Sequence, residues 1–206
     1  MRGPTDGGAR DLLRAGTKTV HHRLHRMPAF AALAEGRISL AGYAAMLRRM
    51  LGFHAALEAE LARVPGLEAF GLDLGARRRS HLLRLDLATF DLDDRVPMAW
   101  LPPFDDAAGA LGGLYVAEGS TLGGRQLARA LDGLLPPGTE GRRFLLGHGE
   151  RHGEMWRACC AAIERCGRDP NGRAAMLRSA QATFAAFEAW FDGLDPAPAA
   201  PVALEA

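Results

Sequence analysis

Apolar residues along most of the chain recur every three or four positions, which is the spacing of one buried helix face. This pattern predicts seven helices, at residues 9–27, 29–35, 39–64, 74–90, 105–134, 142–166 and 173–194. Proline and glycine fall between them, for example at Pro65 with Gly66 and at Asp169 with Pro170. No segment alternates apolar and polar residues between turn signals as a half-buried strand does. The sequence therefore predicts an all-α fold, a compact bundle of six to eight helices.

A chain of 206 residues with 48% hydrophobic content is long enough for one core and too short for two domains of usual size. We expect a single helical domain at 9–194, a flexible N-terminus at 1–8 and a flexible Pro/Ala-rich tail at 195–206. Twenty-five Lys and Arg against 24 Asp and Glu leave a net charge of +1, which draws the protein neither to nucleic acid nor to an acidic membrane. Because no secretory signal or membrane-spanning run is apparent, we expect a cytoplasmic protein.

The first predicted helix carries two stripes of side chains. The apolar stripe consists of Leu13, Thr17, Val20, Leu24 and Met27. The basic stripe, about a quarter turn away, consists of Arg10, Arg14, Lys18, His21 and His25. His21 lies close to the apolar border, whereas His22 points almost opposite. A neutral imidazole there, with cations one and two turns before it, suits a flat apolar ligand that carries carboxylates, and haem has that shape. Taken alone, this helix fits a solvated basic face better.

The segment 109–131, GALGGLYVAEGSTLGGRQLARAL, is helical in period yet contains six glycines. Each interior glycine costs a helix about 0.8–1 kcal/mol relative to alanine, so the missing side chains must serve a purpose. Gly112, Gly119 and Gly123 share one face, and Leu111, Leu114, Leu122 and Leu127 are expected to be buried. Two interpretations stay open: close helix packing through Gly119 and Gly123, or a kinked helix that lies across a planar ligand. No nucleotide-binding motif is present.

Together these two segments resemble the haem oxygenase family, and in particular its bacterial branch associated with phytochromes. LRAGTKTVHHRL, residues 13–24, is similar to the opening motif of that family, and LYVAEGSTLGGR, residues 114–125, is similar to its distal glycine helix. GRISLAGYAAMLRRMLGFHAALEAEL resembles the third helix of the family. FLLGHGERHGEMW resembles a later Gly-x-Gly segment before a tryptophan.

The resemblance implies roles for individual residues. His21 becomes the proximal iron ligand, with Arg14 and Lys18 near the haem propionates. The other haem contacts that it implies are Tyr115, Arg142 and Arg143. The distal site where oxygen reacts is expected to consist of Gly119, Ser120, Gly123 and Gly124. Ser120 departs from the acidic residue that well-studied members carry there, and we expect it to deliver protons together with backbone groups and water.

The implied reaction is the oxygen-dependent cleavage of haem to biliverdin, carbon monoxide and ferrous iron. Haem is then both substrate and cofactor, a reductase or ferredoxin is the external electron donor, and a bilin-accepting photoreceptor is a further candidate partner. The main alternative is a haem-binding or haem-transfer protein of the same fold without turnover. A thiamin-hydrolysing enzyme of the related helical superfamily would need a cysteine nucleophile in the pocket, whereas Cys159, Cys160 and Cys166 cluster on a late helix.

Overall fold

A computed structural model describes residues 7–197, and this part of the chain contains helices and no β-strand. The α-helices are α1 (Ala9–His25), α2 (Pro28–Ala34), α3 (Leu40–Ala62), α4 (Leu74–Arg77), α5 (Ser80–Ala88), α6 (Ala107–Ser120), α7 (Gly124–Ala130), α8 (Arg143–Leu146), α9 (His152–Cys166) and α10 (Pro170–Phe191). Short 3-10 turns lie at Leu67–Phe70, Thr121–Gly123 and Gly149–Arg151. The predicted all-α fold is confirmed. None of the described helices is long and apolar enough to cross a bilayer.

Polar side chains fix the starts of the three helices that frame the molecule. The Ser39 hydroxyl accepts a hydrogen bond from the Gly42 N–H at 3.0 Å and so begins α3. Asp106 begins α6 by accepting from the Gly109 N–H at 2.7 Å. Asp169 caps α10 in the same way. Each cap satisfies an amide that would otherwise have no partner inside the helix.

The sequence predicted one helix over residues 74–90, and the structure has two, α4 and α5. Glu58 on α3 causes the break, because its carboxylate accepts the N–H groups of Arg79 at 2.7 Å and Ser80 at 2.8 Å. It also accepts the Ser80 hydroxyl at 2.6 Å. The cap of α5 therefore comes from a distant part of the chain, which local periodicity cannot show.

The central helix is α6, whose Ala110 and Leu111 are completely buried. It packs closely on α10, because a Cβ at Gly112 would lie only 2.2 Å from the Met176 carbonyl oxygen. The N-terminal helix α1 also lies on α10, where Gln181 donates to the Gly16 carbonyl at 3.0 Å. As a result α1 and α6 share α10 as a common support.

Both predicted flexible ends fall largely outside the described residues. Nothing is described for 1–6 or for 198–206. The described part of the predicted C-terminal tail contacts the bundle, because the Pro196 carbonyl accepts the N–H of Ser39 at 3.2 Å and its hydroxyl at 3.1 Å.

Candidate functional site

The two stripes of α1 separate in the structure as their spacing predicts. Leu13 and Thr17 on the apolar stripe are 0% and 3% exposed. The whole basic stripe is exposed, namely Arg10, Arg14, Lys18, His21 and His25. Thus α1 anchors itself through one face and presents imidazole and cationic groups on the next.

His21 lies at the border between these faces. Its ring meets the Phe184 ring of α10 edge-on, with 6.3 Å between centroids. The Nε2 atom of His25, one turn later, is 3.4 Å from the Nε2 atom of His21. Desolvation, together with the charges of His25 and His22, lowers the pKa of His21. At neutral pH the His21 imidazole is therefore in the unprotonated form that binds metal ions.

Tyr115 lies on the second half of α6. Burial raises the pKa of Tyr115, while nearby polar and charged groups of α1, among them Arg10 and Arg14, lower it. Its ring lies 6.0 Å from that of Trp156 on α9. Tyr115 thus packs beside α9 and lies near the basic stripe of α1.

The structure divides the glycines of this segment into two groups. Gly112 and Gly124 are packing residues, because a Cβ would lie 2.2 Å from the Met176 carbonyl oxygen or 2.0 Å from the Leu145 carbonyl oxygen. At Gly119 a Cβ would reach only the edge of the Trp156 ring at 3.9 Å, and at Gly123 it would meet no atom within 4 Å. Of the two interpretations left open for this segment, close helix packing through Gly119 and Gly123 is therefore not supported.

The same contacts correct two further expectations for this segment. Gly124, expected to line the oxygen side, is buried against the backbone of α8. Leu122, expected to be buried, is 55% exposed beside Gly123. A 3-10 turn at Thr121–Gly123 separates α6 from α7. This interruption agrees with the predicted kink. Gly119 and Gly123 thus leave a bare strip of backbone with an exposed leucine at its edge.

A buried arginine holds the end of α6. Arg79, only 4% exposed, donates to the Ala117 carbonyl at 2.8 Å and to the Ser120 hydroxyl at 3.2 Å. Its guanidinium carbon lies 4.7 Å from the centre of the Phe144 ring. Burial lowers the pKa of Arg79 to about 10, and the charges of Glu118 and Glu58 oppose that change. Arg79 is still a cation at neutral pH.

The buried carboxylate of Glu118 also holds the C-terminal end of α6. Glu118 is 2% exposed, and its Oε1 atom lies 3.1 Å from Arg77 Nη1 and 3.3 Å from His148 Nε2. Burial opposes ionisation, but the His148 hydrogen bond and the Arg77 charge outweigh it and lower the pKa of Glu118. The Oε2 atom is buried without a hydrogen-bond partner. An anionic Glu118 therefore ties α6 to α4 and to the loop before α9.

Neither Arg79 nor the Glu118 cluster was identified from the sequence. Arg77 and Arg79 belong to the run RRR at 77–79, which reads as a solvated charge cluster. A short break between two helices turns both of them inward, and Arg78 stays outside. No local signal in the sequence distinguishes these buried charges from surface charges.

Arg142 and Arg143, predicted to contact haem carboxylates, have protein partners in this structure. Arg142 is 4% exposed and donates to the carbonyl groups of Ala128 at 2.7 Å and Leu135 at 3.2 Å. Arg143 donates to the Thr89 hydroxyl at 3.1 Å and lies 3.6 Å from the Asp86 carboxylate. These side chains hold the α7–α8 connection and α5 together, and a contact of either with haem carboxylates stays a prediction.

Comparison with known proteins points to one family. The family model described as "Heme oxygenase" matches residues 9–99. The curated "Heme oxygenase" of Xanthomonas campestris pv. campestris (strain 8004) is 34% identical over 163 residues, which is 76% of this chain and 92% of that protein.

Two solved structures share the fold. The NO- and CO-bound haem oxygenase from Neisseria meningitidis superimposes with a TM-score of 0.71 at 24% identity, over 97% of this chain and 99% of that one. Haem oxygenase from Leptospira interrogans gives a TM-score of 0.73 at 18% identity, over 90% and 98% of the two chains. At these identities the likeness concerns the fold alone.

Proposed function

The chain belongs to the haem oxygenase family, and we propose that it cleaves haem with molecular oxygen to biliverdin, carbon monoxide and ferrous iron. One structural observation carries the proposal: the His21 imidazole on α1 meets Phe184 of α10, and α10 also supports α6, which ends at the bare Gly119–Gly123 strip. Haem serves as both substrate and cofactor. The bundle itself is shared by proteins of this fold, so the proposal rests on the site.

The residues of the site fit haem. His21 offers an imidazole nitrogen for the iron. Arg14 and Lys18 lie on the same exposed stripe, about two turns and one turn before His21, where they can pair with propionates. On the α6 side, the haem contact that we propose is Tyr115, which lies near the charges of Arg10 and Arg14. The open space at Gly119 and Gly123, which any larger side chain would occupy, suits the flat face of a porphyrin.

Bound haem would supply the iron that binds and reduces oxygen and the porphyrin carbon that is oxidised. The protein sets the conditions for this chemistry. A neutral histidine ligand donates less electron density than a thiolate, so it does less to promote early cleavage of the O–O bond. The bare backbone at Gly119 and Gly123 would leave room for oxygen beside bound haem, because no side chain of these two residues could compete for that space.

Ser120 contributes an acceptor to the distal side. Its hydroxyl proton is engaged with the Ala117 carbonyl at 2.7 Å, and Arg79 donates to the same oxygen. A hydroxyl has one proton and two lone pairs. One lone pair of this exposed serine is left to accept a hydrogen bond from a water molecule. We therefore propose that Ser120 orients a distal water, and that protons arrive through water.

The electron donor is external. No redox centre other than haem is part of the proposed reaction, so we propose a reductase or ferredoxin as the source of electrons. The bilin-accepting photoreceptor and the cytoplasmic location stay predictions from the sequence.

A haem titration followed by turnover in air tests the proposed function. The purified full chain should bind one ferric haem, and adding ascorbate or a reductase in air should abolish the Soret band and yield biliverdin. Haem without protein, treated identically, is the control for uncatalysed degradation. A stable complex that only autoxidises under several different reductants would instead identify a haem-binding protein without turnover.

A further inference from the structure

His21 and His25 lie one helical turn apart on the exposed stripe of α1, and their side chains converge. The two Nε2 atoms are 3.4 Å apart. The rings are 4.5 Å apart between centroids and inclined at 67°. In the haem-free protein the nitrogen expected to bind iron therefore already has a close neighbour.

Two histidine nitrogens bound to one tetrahedral metal ion have about the same separation as these two Nε2 atoms. Zinc–nitrogen bonds to histidine measure about 2.0–2.1 Å, and a tetrahedral angle between two of them places the nitrogens roughly 3.3–3.4 Å apart. The observed separation of 3.4 Å matches that value. For two neutral rings at this distance one Nε2 donates a proton and the other accepts it, and the tautomer decides which ring does so. Moving that proton to Nδ1 of the same ring frees both lone pairs without any net loss of protons.

We propose that His21 and His25 bind a divalent ion of the zinc type in the haem-free protein, and that the ion and haem exclude each other. Both ligands require the Nε2 atom of His21, so one nitrogen cannot serve two metals. Only the exclusion of haem rests on the proposed function; the metal site rests on the geometry of the pair.

The site uses two protein ligands. Within residues 7–197, no group of three or more His, Cys, Asp or Glu side chains is arranged around a metal position. Water molecules would therefore complete the coordination, as one water does at catalytic zinc sites that have three protein ligands. An ion held by only two protein ligands exchanges readily. It would therefore bind His21 reversibly and dissociate when haem binds.

A second histidine pair provides a matched control. His148 and His152 are also four residues apart, but His148 Nε2 is directed to Glu118 at 3.3 Å and its side chain is only 4% exposed. This pair has the same spacing in sequence and no convergent nitrogens. Replacing His152 should therefore leave zinc binding unchanged.

The first experiment measures metal binding by the full, haem-free chain. Titration with ZnCl2 should show a site that is present in the wild type and in His152→Ala and is lost in His25→Ala and His21→Ala. The visible absorption of Co²⁺ bound at the same site should show tetrahedral nitrogen coordination. Circular dichroism checks that the variants fold, which we expect because both histidines are exposed. Zinc binding that persists undiminished in His25→Ala overturns the proposal.

The second experiment measures competition. With free zinc at ten times its own dissociation constant, the apparent dissociation constant of haem should rise about elevenfold, and His25→Ala should abolish the rise. If zinc needs both histidines but haem affinity does not change, the exclusion is wrong, and so is the assignment of His21 as iron ligand. If zinc binds as proposed while haem does not bind at all, the metal site stands and the proposed function fails.

Discussion

The Arg79 guanidinium donates to the Ser120 hydroxyl at 3.2 Å, so a cation with 4% exposure holds a serine that is itself exposed. The same Nη2 atom donates to the Ala117 carbonyl. The sequence resemblance aligns Ser120 with the acidic residue of well-studied family members, and this alignment stays an expectation. The positive charge beneath Ser120 and the proton that it gives to Ala117 make its oxygen an acceptor with a fixed direction.

The Arg79–Ser120 contact predicts coupled effects of substitution. Ser120→Ala should lower turnover severalfold and change the free energy of unfolding by only about 0.5–1.5 kcal/mol, because the bond of Arg79 to Ala117 remains. Arg79→Met loses hydrogen bonds from a charged donor, at about 1.5–3 kcal/mol each, and should be clearly less stable. Urea unfolding and biliverdin yield measure the two effects.

A double-mutant cycle between these positions isolates the contact itself. The coupling in turnover should be appreciable, because Arg79 acts on the distal side through the Ser120 oxygen. Arg79→Lys retains the charge and serves as the conservative control. Strictly additive losses of turnover in Arg79→Met and Ser120→Ala would show that the two residues act separately and would contradict the proposed role of Ser120.

The two adjacent glycines at the kink predict opposite phenotypes. Gly123→Val adds methyl groups where no atom lies within 4 Å of the Cβ position, at a backbone φ of −89° that valine tolerates. It should therefore fold normally and lose most turnover, more than Ser120→Ala does. Gly124→Ala places a Cβ 2.0 Å from the Leu145 carbonyl oxygen and should lose about 1–3 kcal/mol of stability.

Thermal unfolding and single-turnover spectra distinguish these outcomes. A Gly123→Val protein that unfolds as early as Gly124→Ala would mean that position 123 is filled by protein. Wild-type turnover in a well-folded Gly123→Val variant would place the reacting face of the ring elsewhere.

Local patterns predicted most of this fold, and tertiary contacts account for what they missed. The stripes of α1 follow from helical period, so the border position of His21 could be predicted. The break before α5 depends on Glu58, which lies more than 20 residues earlier, and no local pattern records it. The glycines of α6 look alike in sequence, yet Gly112 meets a backbone carbonyl and Gly123 meets open space. Only the neighbours decide which glycine packs and which one lines a site.

His54 predicts a pH dependence of stability. It is 5% exposed, and burial, aided by the charge of Arg79, lowers the pKa of His54 well below 6.5. The unfolded chain has the ordinary value of about 6.5. Below that pH, His54 is protonated in the unfolded state but stays neutral in the folded state. This contribution to stability is therefore full above pH 6.5 and lost as pH falls, by up to about 1.4 kcal/mol per pH unit.

His54→Phe should remove that part of the slope between pH 6.5 and 5. The neighbouring Phe144 ring lies 4.7 Å away, and a small cavity beside His54, also lined by Leu57 and Leu114, leaves room for the larger ring. Chemical unfolding at several pH values measures the slope, with the exposed His81→Ala variant as control. Identical slopes in wild type and His54→Phe would mean that His54 titrates normally in the folded protein.

The choice of iron ligand among the histidines of α1 is the prediction on which the site depends most. His21 lies against Phe184 at the edge of the packed face, and His22 is exposed on another side of the helix. His21→Ala should lose the histidine-ligated haem spectrum and most turnover, and added imidazole should restore the spectrum by filling the vacancy. His22→Ala should keep both. His25→Ala is the decisive comparison, because its Nε2 atom lies only 3.4 Å from that of His21 and a small turn of the helix would exchange them. If His25→Ala loses the ferrous carbon monoxide spectrum while His21→Ala retains it, α1 is rotated in the haem complex and the pocket must be reassigned.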